Sequence, residues 1–132
     1  MITAIKLRIE AVTELRSVEL GHVLPTDAIE MMDPNSETMP SVLLYYGNNQ
    51  FAENEAKMFV RQMTVKRLVA LLFCRVADMD DLEGKVVRAV LGYCHTQNHT
   101  GMTAVNAVTA RITGSVCARR IEFSTETLTS QQ

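Results

Sequence analysis

Phe59-Val60-Arg61-Gln62-Met63-Thr64-Val65-Lys66-Arg67-Leu68-Val69-Ala70-Leu71-Leu72-Phe73-Cys74-Arg75-Val76 decides the fold of this chain. Four basic residues and no acidic one punctuate it. In its first half Met63 and Val65 alternate with Gln62, Thr64 and Lys66, the period of two of a strand with one wet face. The second half, Leu68 to Cys74, is apolar at every position, as expected of a strand covered on both faces. Fully extended, the run spans roughly 60 Å at about 3.3 Å per residue. A domain of this length is only about 35–40 Å across. The strand therefore either bends at a bulge or reaches past its own domain, and the second case favours assembly with copies of itself.

Elements are legible on both sides of that run. Ile2, Ile5, Ile9 and Val12 form the apolar stripe of a first helix, with Lys6, Arg8, Glu10 and Glu14 outside it. A short edge strand is expected near 18–23, closed by Pro25. Residues 33–40 have the composition of a loop, and Pro40 opens a strand over Ser41–Tyr46, where losing one ladder donor is tolerated. Gly47-Asn48-Asn49 ends that strand, and the polar segment Asn48–Glu55 is a second loop. After the long strand, Asp78-Met79-Asp80-Asp81-Leu82-Glu83 opens a second helix. The spacing of Asp80 and Glu83 predicts a capping box, and the acids favour the positive end of the helix dipole. Leu82, Val86, Ala89 or Val90, and Tyr93 supply its buried stripe. A hairpin follows, turning at Thr113-Gly114-Ser115. Val105, Ala107, Thr109 and Arg111 are expected to alternate against Asn106, Val108, Ala110 and Ile112 on its first strand. The return strand sets Cys117, Arg119, Ile121 and Phe123 on one face.

The expected fold is α+β: a mostly antiparallel, mixed sheet of about five strands with two main helices packed on it. One domain over 1–125 is expected, with 126–132 fading into a disordered tail.

Composition narrows the function classes. At 132 residues, with 47% apolar and 21% charged residues, the chain fits one globular domain. Its longest apolar run is far too short to span a bilayer, and the N-terminus enters an amphipathic pattern with no signal-peptide plan. Cys74, Cys94 and Cys117 are odd in number and widely spaced, so a reducing bacterial cytosol is expected rather than a disulfide framework. The net charge of −2 hides a split: three basic against nine acidic residues over 1–56, then ten against six over 57–132. Folding either intermixes the halves or leaves an acidic and a basic side suited to head-to-tail packing. Few aromatics interleave the basic half, which speaks against sequence-specific nucleic-acid binding.

Little chemistry is visible. Cys94, His95 and His99 alone have ligand-like spacing, but the Asn98-His99-Thr100-Gly101 context stops a helix before the two imidazoles can share one face. No carboxylate lies nearby to orient a Cys–His nucleophile pair. Asp78, Asp80, Asp81 and Glu83 are explained by a helix start without a cation. The glycines are isolated, so no phosphate loop is present. Met31, Met32 and Met39 are either an adaptable contact surface or ordinary core filling. Neither an enzyme nor a cofactor is expected. Arg61, Lys66, Arg67, Arg119 and Arg120 are the candidate self-association residues.

The order of motifs resembles the tail-terminator or tail-completion family of long-tailed bacteriophages and prophages, of the lambda type. The resemblance rests on the first helix and on Pro40-Ser41-Val42-Leu43-Leu44-Tyr45, followed by the long polar-to-apolar strand and the acid-led second helix. The last strand, Arg119-Arg120-Ile121-Glu122-Phe123-Ser124-Thr125, completes it. The short turn at Thr113-Gly114-Ser115 differs from the longer insertion usual in that family. What the resemblance implies is a ring, typically a hexamer, seated on the last ring of the tail tube. Such a ring stops polymerisation and offers a surface to head-completion proteins. Its partners would be itself, the tail tube protein and a head-completion protein, first in the bacterial cytoplasm and then at the head–tail junction. Another connector or tube ring is the neighbouring alternative. A small ligand- or metal-binding enzyme with a site near His95 and His99 is the alternative of a different class.

Overall fold

The computed structural model describes residues 1–21, 39–47, 50–51, 60–96 and 99–131, with backbone alone at 50–51, 60–62 and 128–131. The elements are α1 (Ile2–Glu10), β1 (Ser17–Leu20), β2 (Ser41–Tyr46), β3 (Gln50–Phe51), β4 (Val60–Arg75), α2 (Met79–Val90), β5 (Thr103–Thr113) and β6 (Val116–Gln131). A 3-10 turn, Val76–Asp78, joins β4 to α2. The sheet runs β1-β2-β4-β6-β5, with β3 added along β4. Only β1 and β2 pair in parallel. The fold is α+β with a mixed sheet, as the patterning predicts.

Both helices cover one face of the sheet. Ile5 and Ile9 of α1, and Met79, Leu82, Val86 and Val90 of α2, meet Val42, Leu44, Leu68, Ala70, Leu72, Ile121 and Phe123. Each fully buried Leu, Ile or Phe in this layer contributes roughly 1.5–3 kcal/mol relative to exposure. Polar contacts tie the helices together: the Arg8 Nε donates to the Ala89 carbonyl at 2.8 Å, and Lys85 Nζ lies 2.7 Å from a Glu14 oxygen. On the opposite face Leu43, Leu71, Phe73 and Ala118 form a smaller cluster, with Met39 packed against it as core filling. Val69, Leu71 and Phe73 on this side, and Leu68, Ala70, Leu72 and Cys74 on the helix side, are all buried. The doubly covered half of the long strand is therefore observed.

β4 does not bend at a bulge. Its register with β6 is unbroken from Arg75↔Val116 to Val60↔Gln131. β2 flanks only residues 68–73 of β4, and β5 flanks only residues 116–124 of β6. Beyond those limits the two strands continue as a ribbon, met by β3 at Thr64 and Val65 and by an isolated bridge from His99 to Thr127. From Leu68 to Val60 this arm extends about 25 Å at roughly 3.3 Å per residue.

Four expectations change. The chain after Thr125 is not a fading tail in this structure, because β6 continues in register to Gln131. Thr125 and Thr127 bury their β-branched side chains there, and Thr125 Oγ1 donates to the Thr100 carbonyl at 2.6 Å. The segment expected as a loop over Asn48–Glu55 contains the short strand β3. No capping box forms, because α2 starts from the 3-10 turn with Asp78 at the N-cap and without a side-chain cap bond. Simple alternation fails in β5, where register shifts between Ala104 and Asn106 and between Thr109 and Arg111 mark bulges. The expectations for Pro25, for Met31 and Met32, and for residues 33–38 fall outside the described residues.

Candidate functional site

Strand periodicity separates the candidate basic residues. Arg119 lies on the helix-covered face, where its Nη1 is 3.3 Å from Asp80 Oδ1 and 3.2 Å from Glu83 Oε2. The acids that read as a helix cap are thus the partners of an arginine on β6, a pairing 36 to 39 residues apart. Arg120, one residue on, lies on the opposite face with Arg67. Glu122 joins them: one oxygen is 2.7 Å from Arg67 Nη1, the other 3.3 Å from Arg120 Nη1. The Arg67 hydrogen bond, with the charges of both guanidiniums, holds the Glu122 carboxyl below the usual carboxylate range against the opposing effect of its burial. Lys66 points to the helix side of the arm and lines a cleft described below. The side chain of Arg61 lies outside the described residues. The structure does not bring Lys66, Arg67, Arg119 and Arg120 into one patch, and Arg67, Arg119 and Arg120 each bind acids of their own subunit.

The second candidate region is the segment after α2. Gly92, with φ +79°, reverses the chain, and the Gly92 and Tyr93 backbones pair with Met102 at 2.9 and 2.8 Å. A Cβ on Gly101 would stand 3.3 Å from Gly92 Cα, so a side chain at 101 would crowd the backbone that closes this loop. Thr100 fastens the loop to the arm: its amide donates to the Glu126 carbonyl at 2.8 Å, and its Oγ1 accepts from the Glu126 amide at 2.9 Å.

The closed loop brings His95 and His99 together, ring centroids 5.5 Å apart and edge to face, although no helix carries both. Tyr93 Oη lies 3.1 Å from His95 Nδ1, and Thr96 Oγ1 lies 2.6 Å from His99 Nδ1. The Cys94 thiol is turned to the carbonyls of Thr96 and His99 at 3.1 and 2.8 Å. No group of three or more His, Cys, Asp or Glu side chains suited to a metal occurs among the described residues. Burial, then the charges of Lys66 and His95, lower the pKa of His99. Cys74 and Cys117 face each other across β4 and β6 inside the core, and burial pushes the Cys74 thiol up to about 12.

A third feature was invisible in the sequence. β5 ends the sheet, and ten of its eleven residues are exposed, including Val105, Val108 and Ile112 (63% exposed). Arg111 is its only charged residue. A long, nearly uncharged edge strand is a template for pairing with another chain, which proteins normally blunt with charge or proline.

No protein-family model matches the chain, and no curated protein matches it. Among solved structures the chain is similar to one from "Virion of native gene transfer agent (GTA) particle", at 14% identity and a TM-score of 0.48. That match covers 93% of this chain and 84% of the other. At that score the likeness carries no argument about function. No helix among the described residues is long and apolar enough to cross a membrane.

Proposed function

We propose that this chain is a non-catalytic structural subunit of a phage or prophage virion. In this reading copies of it form a ring, a hexamer by the family resemblance, that caps the tail tube and ends its polymerisation. The ring then presents a surface to head-completion proteins. The observation that carries the reading is the β4–β6 ribbon, sixteen paired residues long, which runs past the helix-covered core. The ribbon runs beyond β2 and β5, which flank it only as far as Leu68 and Ser124, so a partner surface best explains its length. The open edge of β5 supports the same reading. With Arg67, Arg119 and Arg120 paired internally, ring contacts rest on the arm and this edge more than on those charges.

Light scattering across a concentration series tests this, using the wild type and a Val108→Lys/Ile112→Lys variant, with and without purified tail tubes. Both sites are exposed, so the circular dichroism spectrum of the subunit should not change. The wild type should give a discrete ring mass and the variant a monomer. A wild type that remains monomeric under every condition contradicts the proposal.

A further inference from the structure

The loop after α2 forms, with the base of the arm, a cleft of about 630 Å³ lined by Tyr46, Gly47, Lys66, His95, Thr96 and His99, together with Met1. No acidic residue is among the described residues that line it. Among the described residues Lys66 makes no ion pair. A lysine held in a concave site without a carboxylate is uncommon, because its charge gains little there unless an anion arrives.

The hydrogen bonds around the cleft explain what it offers. The Tyr46 hydroxyl accepts from the Ile2 amide at 3.2 Å, which leaves its own proton to donate. Hydroxyls occupy Nδ1 of both histidines, Tyr93 on His95 and Thr96 on His99. With those hydroxyls donating, each imidazole carries its proton on Nε2. In that tautomer the cleft offers an ammonium group, two N–H donors and a phenolic O–H, and no carboxylate of the described lining residues competes for them. Surroundings rich in donors and positive charge favour an oxyanion.

We propose that this cleft binds a small oxyanion of the phosphate class, with Lys66 as the charged contact and His95 and His99 as directional donors. A bound dianion would also offset the burial and the positive neighbours that now disfavour protonation of His99. The proposal is independent of any role in a ring.

Inorganic phosphate is the probe, titrated at pH 7 and constant ionic strength while the histidine side-chain NMR resonances are followed. Saturable shifts of the His95 and His99 signals are expected, with His99 titrating at higher pH when phosphate is bound. Lys66→Gln should weaken binding about tenfold, the equivalent of roughly 1.4 kcal/mol. Lys66→Arg should restore most of it with the backbone spectrum unchanged. Absence of saturation, or equal affinity in Lys66→Gln, overturns the site. Acetate producing the same shifts at the same concentrations overturns its assignment to the phosphate class.

Discussion

Replacing Glu122 with Gln removes one negative charge from between two guanidiniums and keeps the side chain's shape. The Glu122 side chain is 12% exposed, its contact to Arg67 is 2.7 Å and its contact to Arg120 3.3 Å. The short pair belongs to the class of charge-assisted hydrogen bonds, roughly 1.5–3 kcal/mol each, and part of it survives because the Gln carbonyl still accepts. Arg120 is 41% exposed, so its pair falls nearer the surface range of about 0–1 kcal/mol. The expected loss is about 1.5 kcal/mol at pH 7. At roughly 2.1 cal/mol/K of unfolding entropy per residue, that lowers Tm by about 5 °C. The folded pKa of Glu122 is depressed, so its contribution is complete above the unfolded value of about 4.3 and is lost as pH falls through the folded value. Urea denaturation of both proteins at fixed concentration from pH 7 to pH 3 reads this directly. The gap should be present at pH 7 and close on acidification below about pH 4. No gap at pH 7, or one that stays constant throughout, refutes the assignment of Glu122 as the ionised centre of this face.

Three further outcomes follow from the same geometry. Cys94 is exposed whereas Cys74 and Cys117 are buried, so a thiol reagent should label Cys94 alone in native protein and all three after denaturation. Arg119→Ala should cost about 1 kcal/mol by urea denaturation, because its partner Asp80 is almost fully exposed and Glu83 partly so, and should speed hydrogen exchange in α2 before elsewhere. Gly101→Ala should lower stability by roughly 1–3 kcal/mol and shift the His95 and His99 resonances, since its Cβ presses on the Gly92 backbone that closes their loop.

What was legible in the sequence was what burial writes into it. β2 was read to the residue, because Pro40 and Gly47 bracket an apolar run. Cys117, Ile121 and Phe123 declared their shared face by alternation, and all three are buried on the helix side. β5 carried no such signal: with nearly every residue exposed, nothing in composition marked its two bulges or its position at the sheet edge. Asp80 and Glu83 were read against their own helix when their partner, Arg119, lies on β6. Local patterns cannot rank a cap against a distant arginine. The polar Thr125–Gln131 segment looked like a tail, yet threonine is a strand former, and here the buried Thr125 finds the Thr100 carbonyl for its hydroxyl. His95 and His99 meet where the chain turns back and Gly92 and Tyr93 pair with Met102, a relation that spacing on a helix could not show.

The central claim is that this chain caps a growing tube, and removing its gene from an inducible phage or prophage tests that most directly. Negative-stain microscopy of the induced lysate should show filled heads without tails beside tubes longer than normal, and supplying the intact chain should restore joined particles. Tails of normal length attached to heads in the deletion strain would contradict the account.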